Sequence, residues 1–143
     1  DDETTIVHGD YRLDNMILIN NEVVGILDWE LSTLGHPIAD FSYHCLSWRT
    51  QEAFWDEAKL KELGIPSERE YMEMYCENSG KDLSKNWEFY MAFNMFKIAG
   101  ILQGILGRVR DGTAASKHAE ERGNMVFPLS EAAWSTIEEN FLK

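Results

Sequence analysis

Two short apolar runs near the start of the chain, residues 16–19 and 23–27, lie on either side of Asn20–Glu22. Two runs of β-type composition around an Asn-rich turn predict a β-hairpin. A third β-prone run, Thr4–Val7, comes before them. Because a hairpin returns the chain to the place where it began, we expect the polar residues on its two sides to lie close together.

From Pro37 onward, the spacing of the apolar residues predicts helices, and Pro37 itself suits a first helical position. One apolar face is formed by Ile38, Phe41, Cys45 and Trp48. Ser67–Glu70 has the pattern of a capping box, and Gly80 is a plausible helix end. The predicted fold class is therefore α+β, mainly α, with a short β-hairpin.

The longest apolar region, residues 87–108, is apolar nearly all round, as is typical of a central helix. It is interrupted by Glu88, Asn94, Lys97 and Gln103. We therefore interpret it as a buried core helix, since a membrane span needs about 20 mostly apolar residues. Ser130 is expected to cap a last helix. The core face of that helix would contain Ala133, Trp134, Ile137 and Phe141.

The chain is strongly acidic, with 13 Lys and Arg against 25 Asp and Glu and a net charge of −12. This charge disfavours nucleic acids and anionic membranes as partners. A nucleotide could still bind through metal ions held by carboxylates. The two isolated cysteines, Cys45 and Cys76, suggest a reducing compartment such as the cytoplasm. Residues 1–3 lack the basic start of a signal peptide.

Asp10, Asn15 and Asp28 form the constellation best suited to chemistry. The hairpin should bring Asn15 and Asp28 together, and Asp10 lies on the same loop as Asn15. Phosphoryl transfer needs such a set, because Mg²⁺ prefers oxygen ligands and a metal-free carboxylate can accept the proton of an attacking hydroxyl. Arg12 could steady the charge of the transferring phosphoryl group.

The residues at 8–15, HGDYRLDN, and at 26–40, ILDWELSTLGHPIAD, resemble the aminoglycoside and choline phosphotransferase family, which has a protein-kinase-like fold. They are most similar to the subgroup found alone in bacteria or fused to acyl-CoA dehydrogenases. The resemblance implies the C-terminal lobe of that fold, with the catalytic and metal loops on the hairpin. Within 1–143, the loop and hairpin would occupy 1–30 and the helical part 31–143.

The same resemblance implies a role for each matching residue. Asp10 would be the catalytic base, while Asn15 and Asp28 would hold Mg²⁺ and, through it, ATP or GTP. Arg12 stands where many protein kinases place a phosphate-contacting lysine. A surface role for Arg12 is an equal alternative.

Three further positions receive supporting or open roles. The resemblance implies that His8 is a structural brace and that Asp40 ties down the catalytic loop. Glu30 could bind substrate or a second metal, or it could serve as a surface or loop-bracing residue.

Only seven residues precede His8, too few for a Gly-rich loop and a strand lysine. We therefore expect the missing N-terminal lobe to be the normal partner of this chain. The isolated chain would be a poor enzyme, prone to self-association through surface normally covered. Only eight residues separate Asp28 from Pro37, so no peptide-docking activation segment fits there. The acceptor would be a small-molecule hydroxyl compound: an aminoglycoside, a choline-like compound or a hydroxyacyl compound.

Two alternatives remain at the level of the sequence. A metal-dependent phosphohydrolase could use a mixed cluster of His8, Asp10, Asp28, His36 and Asp40, in which histidine would favour a transition metal over Mg²⁺. A kinase-like lobe could also serve as a binding module without catalysis. Taken singly, Asp10, Asn15 and Asp28 also suit turns and strand ends.

Overall fold

The computed structural model describes residues 3–50 and 57–143. The described part is mainly helical, with a few short antiparallel strands. The strands are β1 (Thr5–Val7), β2 (Met16–Ile19), β3 (Glu22–Ile26) and β4 (Thr33–Gly35), and the α-helices are α1 (Ile38–Cys45), α2 (Glu57–Glu62), α3 (Glu68–Ser79), α4 (Trp87–Arg110), α5 (Ala119–Gly123) and α6 (Val126–Phe141). The backbone divides into two compact units, Asp1–Trp87 and Glu88–Lys143.

β2 and β3 form the predicted hairpin, with Ile19 opposite Glu22 next to the turn. The connection consists of Asn20 and Asn21, whose φ angles are 51° and 64°. Asparagine adopts positive φ more readily than most residues and suits the tight turns that match the twist of a hairpin. Glu22 was expected in the turn but is the first residue of β3, because two residues are enough to reverse the chain.

The sequence did not predict β4, which pairs antiparallel with β1 from Thr5 opposite Gly35 to Val7 opposite Thr33. A strand of three residues is too short to show a clear alternation of apolar and polar side chains. Its pairing is nevertheless important, because it attaches the segment after the hairpin to the strand that leads into loop 8–15.

α1 supplies core residues of the first unit, and the predicted apolar face is largely confirmed. Ile38, Phe41 and Cys45 are all buried. The helix begins directly after Pro37, a place where a missing N–H costs no helical hydrogen bond. Trp48 lies beyond α1 in a short 3₁₀ helix, Leu46–Trp48, and its indole N–H donates to the carbonyl oxygen of Pro66 at 3.1 Å.

α3 begins and ends at the signals predicted from the sequence. The Ser67 hydroxyl accepts from the Glu70 N–H at 3.3 Å, and the Glu70 carboxylate accepts from the Ser67 N–H at 2.8 Å, which completes a capping box. Gly80 ends the helix with φ of 69° and donates its N–H to the carbonyl oxygen of Cys76 at 2.9 Å. Cys76 and Cys45 are both free thiols.

Glu68 joins three segments of the first unit. Its carboxylate accepts from the Arg49 guanidinium at 2.6 Å and from the Trp87 indole N–H at 2.9 Å. Phe41 stacks on Tyr75 with ring centroids 3.9 Å apart and lies 5.6 Å from the ring of Trp87. The aromatic packing joins α1 to α3, and the ion pair joins α3 to the residue that follows the 3₁₀ helix Leu46–Trp48.

The interpretation of the long apolar region as a buried core helix is confirmed for one side of the helix only. α4 buries one side, at Met91, Ala92, Asn94, Met95 and Ala99. Phe89, Phe93, Phe96 and Ile101 are exposed, and 71% of Phe96 is accessible. Within the described part of the chain, α4 is the one helix long and apolar enough to cross a membrane by length and composition. Core helices of soluble proteins meet the same criterion, so this is weak evidence.

The expected start of the last helix is also wrong. α6 begins at Val126, and Ser130 lies inside it, where its hydroxyl donates to the carbonyl oxygen of Val126 at 2.8 Å. Pro128 is tolerated because it lies in the first helical turn. The predicted core face is confirmed at Ala133 but not at Trp134, of which 57% is exposed. Phe141, also expected in the core, is exposed.

Candidate active site

The site lies in the first unit, where loop 8–15 meets the segment that follows β3. Gly9 sits at the start of the loop with φ of 85°. A Cβ atom at this position would lie 2.5 Å from the carbonyl oxygen of Leu31. Both the backbone angle and the close approach require glycine. The loop therefore packs its backbone directly against the segment that returns from the hairpin.

His8 is 2% exposed, and both of its ring nitrogens are used within the protein. Nε2 donates to the carbonyl oxygen of Leu27 at 2.7 Å, and Nδ1 accepts from the Asp10 N–H at 3.2 Å. This pair of bonds requires the proton on Nε2. The imidazole also packs against the Trp29 ring, with centroids 4.7 Å apart. His8 thus links loop 8–15 to the end of the hairpin.

Asp40 lies in the first turn of α1 and holds the loop from the other side. Its carboxylate accepts the backbone N–H groups of His8 and Gly9, the latter at 2.8 Å. A carboxylate is also favoured in the first turn of a helix by the helix dipole. The contact expected between Asp40 and the loop is therefore present.

Asp10 is half-buried, and each oxygen of its carboxylate accepts a hydrogen bond. Oδ2 accepts from Asn15 Nδ2 at 2.9 Å, and Oδ1 accepts from the Tyr43 hydroxyl at 2.8 Å. Asn15 Nδ2 also donates to the backbone carbonyl oxygen of Asp10 at 2.9 Å. These bonds determine the orientation of the carboxylate and bring Asp10 and Asn15 together, as the sequence predicted.

The hairpin brings the segment of Asp28 beside Asn15. The Leu27 N–H donates to the carbonyl oxygen of Asn15 at 2.8 Å, directly beyond the last paired residues of β2 and β3. The amide nitrogen of Asn15 is committed to Asp10, which leaves Oδ1 as the atom able to bind a cation.

Asp28 has an unusual backbone, with φ of 64° and ψ of 55°. This left-handed conformation is costly for a residue other than glycine, and such outliers cluster at functional sites. Its side chain is exposed. The left-handed backbone and the exposed carboxylate together make Asp28 a candidate functional residue.

Arg12 lies close to the hydroxyl of Tyr43, with which it forms a side-chain hydrogen bond, and Glu30 follows in the segment after Asp28. Arg12 forms an ion pair with Asp14, and 53% of its side chain is exposed. Glu30 is exposed in the 3₁₀ helix Trp29–Leu31. Trp29 donates its indole N–H to the carbonyl oxygen of Ile26 at 2.8 Å. The hydrogen bond of Trp29 and its packing on His8 are bracing contacts.

Tyr43 is the site residue that the sequence analysis missed. Burial, together with the hydrogen bond to Asp10, raises the pKa of Tyr43 to about 12. The phenol therefore stays protonated at neutral pH and acts as a donor to the carboxylate. One signal was available: Tyr43 follows Asp40 by three residues, and this spacing places two side chains on the same face of a helix.

The mixed metal cluster of a phosphohydrolase is not formed. Within residues 3–50 and 57–143, no group of three or more His, Cys, Asp or Glu side chains could hold a metal ion. His8 is occupied on both ring nitrogens, and Nδ1 of His36 accepts from the Ile38 N–H at 3.3 Å. The histidine ligands of that alternative are thus directed to the backbone.

Comparison with known proteins places this site in a family context. The sequence model of a family described as the phosphotransferase enzyme family, APH, matches residues 1–75. Acyl-CoA dehydrogenase family member 10 from Mus musculus is 45% identical over 138 residues, covering 92% of this chain and 13% of its own. Acyl-CoA dehydrogenase family member 11 from Homo sapiens is 36% identical over 147 residues, and this match covers 99% of this chain and 19% of the human protein.

A solved structure supports the same relationship. The chain superposes on a protein from Ralstonia eutropha, provisionally named as an aminoglycoside phosphotransferase, with a TM-score of 0.85 and 47% sequence identity. The match covers 95% of this chain and 43% of that one. The chain thus spans less than half of the solved relative and less than a fifth of the two curated relatives.

Proposed function

The chain belongs to the phosphotransferase enzyme family, and on that premise we propose that it carries the catalytic centre of an ATP-dependent kinase acting on a small-molecule hydroxyl. One observation supports this most strongly. The Asp10 carboxylate accepts hydrogen bonds from Asn15 and Tyr43. The hairpin brings the segment of Asp28 beside Asn15.

Asp10 is the proposed general base. In the reaction, the acceptor oxygen bonds to the γ-phosphorus while the bond from that phosphorus to the β–γ bridging oxygen breaks. The proton of the acceptor hydroxyl passes to the Asp10 carboxylate. Each carboxylate oxygen accepts one hydrogen bond and keeps further lone-pair capacity for this proton.

Asn15 and Asp28 are the proposed ligands of Mg²⁺. Oxygen ligands suit this hard cation, which commonly takes only one or two from protein while phosphates and water supply the others. Asn15 presents Oδ1 because its amide nitrogen is bound to Asp10, and Asp28 presents an exposed carboxylate. When bound, the cation would neutralise charge on the phosphates of ATP or GTP.

Arg12 is proposed to contact the transferring phosphoryl group. Its guanidinium pairs with Asp14 at the surface, and exposed pairs of this kind are weak. A phosphate could therefore compete with Asp14 for Arg12. For Glu30, which is exposed in the 3₁₀ helix after Asp28, contact with the acceptor or a second metal remains an alternative to a role at the surface.

The short connection after Asp28 supports a small acceptor. It consists of the 3₁₀ helix Trp29–Leu31 and β4, and the pairing of β4 with β1 leaves no long segment for docking a peptide. The names of the relatives point in two directions, to aminoglycosides and to acyl thioesters. We propose a hydroxyl compound of one of these classes, or a choline-like alcohol.

A transfer assay on the complete natural polypeptide tests this proposal. With Mg²⁺ and γ-labelled ATP or GTP, we expect label in one of three acceptors: an aminoglycoside, choline or a hydroxyacyl-CoA. The label should depend on Mg²⁺ and disappear in Asp10→Asn. The proposal fails if the folded polypeptide neither binds Mg·ATP or Mg·GTP in calorimetry nor labels any of these acceptors.

A further inference from the structure

The hydroxyl of Tyr43 lies 2.8 Å from Oδ1 of Asp10, 33 residues away along the chain. Tyr43 is half-buried. We infer that Tyr43 is a positioning residue, which holds the Asp10 carboxylate in the orientation needed to accept the proton of the acceptor hydroxyl. This inference rests on the proposed function, because it assigns Tyr43 a part in the same reaction.

α1 contacts loop 8–15 both at its backbone and at the side chain of Asp10. Asp40, in its first turn, accepts the backbone N–H groups of His8 and Gly9 and so fixes the path of the loop. Tyr43, one turn later, reaches the side chain of Asp10. A single face of one helix thus sets both the backbone and the reacting carboxylate of the loop.

Asn15 and Tyr43, the two residues that donate to the Asp10 carboxylate, differ in their other roles. Asn15, through its carbonyl oxygen, is also a proposed cation ligand, so its amide group is shared between the base and the metal. Tyr43 lies on α1, outside the metal-binding segments. The Tyr43 hydroxyl therefore keeps Oδ1 in place independently of the cation, while Asn15 controls Oδ2.

The protonation state of Tyr43 suits this role. A phenol whose pKa is about 12 donates to a carboxylate throughout the physiological range, and burial is the main cause of that value. Hydrogen bonds to a charged group are stronger than those between neutral groups. Loss of this donor should allow the Asp10 carboxylate to rotate about the bond that joins it to the side chain.

Tyr43→Phe in the complete natural polypeptide removes the hydroxyl and keeps the aromatic ring. The matched control is Tyr71→Phe, which removes a different hydroxyl from the same unit. We expect Tyr43→Phe to lower kcat for phosphoryl transfer, or for ATP hydrolysis with water as acceptor, about tenfold. The KM for Mg·ATP should stay within about twofold, because Asp10, the partner of the phenol, is the proposed base and not a proposed cation ligand.

A second readout does not depend on activity. Selective ¹⁵N labelling of the asparagine side chains makes the Asn15 amide visible by NMR, and Asn15→Asp identifies its signals by their disappearance. Because Asn15 Nδ2 donates to the same carboxylate as Tyr43, its signals should shift or broaden in Tyr43→Phe and stay unchanged in Tyr71→Phe. A role for Tyr43 in packing alone would leave them in place.

The outcomes separate the two proposals. Unchanged Asn15 amide signals in a folded Tyr43→Phe variant overturn the positioning role, as does a variant that loses Mg·ATP affinity instead of kcat. A wild-type polypeptide that binds neither Mg·ATP nor Mg·GTP overturns the proposed function, whatever the NMR signals show. Thermal unfolding within a few degrees of wild type confirms that the variants are folded.

Discussion

The backbone N–H of Leu27 donates to the carbonyl oxygen of Asn15 at 2.8 Å, so the ends of β2 and β3 are joined directly before the chain reaches Asp28. This bond places Asn15 and Asp28, which are thirteen positions apart in the sequence, on neighbouring segments. The turn sets the pairing of Ile19 with Glu22, and a register shift between Ile17 and Leu18 moves the pairing by one residue, so that Met16 lies opposite Ile26 and Asn15 meets Leu27.

Replacing Asp10 by Asn tests the general base. The amide keeps the shape of the side chain but cannot accept the proton of the acceptor hydroxyl, so turnover should fall about 100-fold or more. The affinity for Mg·ATP should change little. Kinetics and calorimetry on the complete polypeptide measure both quantities, and turnover close to that of wild type in a folded variant would refute the assignment.

Asp28→Gly should separate stability from function. Glycine adopts φ of 64° without strain, so this variant should be more stable than Asp28→Ala by about 1 kcal/mol. Both variants should lose affinity for Mg·ATP because the carboxylate is gone. Thermal unfolding and calorimetry provide the comparison. Equal stability of the two variants would show that the backbone of Asp28 stores no strain.

Gly9→Ala should disrupt the catalytic loop. The added Cβ would meet the carbonyl oxygen of Leu31 at 2.5 Å, in addition to the cost of a positive φ. We expect a loss of about 2 kcal/mol or more in the free energy of unfolding. Gly64→Ala is the matched control, since it also has positive φ, 70°, but its Cβ would have no atom within 4 Å. Its loss should be about 1 kcal/mol.

The raised pKa of Tyr43 predicts that the free energy of unfolding depends on pH in the alkaline range. The folded protein keeps this phenol protonated to a pKa of about 12, above the ordinary value of 10.0. The stabilisation is complete below pH 10 and is lost as the pH rises toward 12, because the unfolded chain releases the proton first. Denaturant unfolding should show a shallower loss of stability over this range in Tyr43→Phe. An identical slope in both proteins would contradict the prediction.

The 143-residue chain by itself should bind Mg·ATP weakly and turn it over slowly. The chain spans 43% of the solved relative from Ralstonia eutropha, and kinase-like enzymes also use a Gly-rich loop and a strand lysine. Calorimetry with the isolated chain is the measurement, with the complete polypeptide as the comparison. Micromolar affinity and steady turnover by the isolated chain would show that these elements are unnecessary.

Local signals in the sequence account for much of the fold. The adjacent asparagines at 20 and 21 predicted the turn, the Ser67 and Glu70 pair predicted the start of α3, and Gly80 predicted its end. Each of these signals acts within about four residues, so no distant contact can easily override it. The five-residue spacing of Asp10 and Asn15 is also a local signal, and the two side chains do lie in contact. The predicted hairpin likewise returns the chain to Asn15. The roles assigned to these residues stay predictions.

Other features depend on contacts between residues far apart in sequence. β4 exists because β1 is available for pairing across 30 residues, and Tyr43 reaches Asp10 across 33. Serine is a common N-cap residue, and Ser130 was therefore expected at the start of the last helix, yet α6 begins one turn earlier at Val126. A local sequence pattern specifies which element a segment can form. The residues that pair with a short strand, bind a phenol or cover a helix face are determined only when the chain has packed. For this protein, the sequence alone determined the turn at Asn20 and Asn21, the two ends of α3 and the spacing of Asp10 and Asn15, whereas the tertiary structure decided that the Tyr43 hydroxyl binds Asp10.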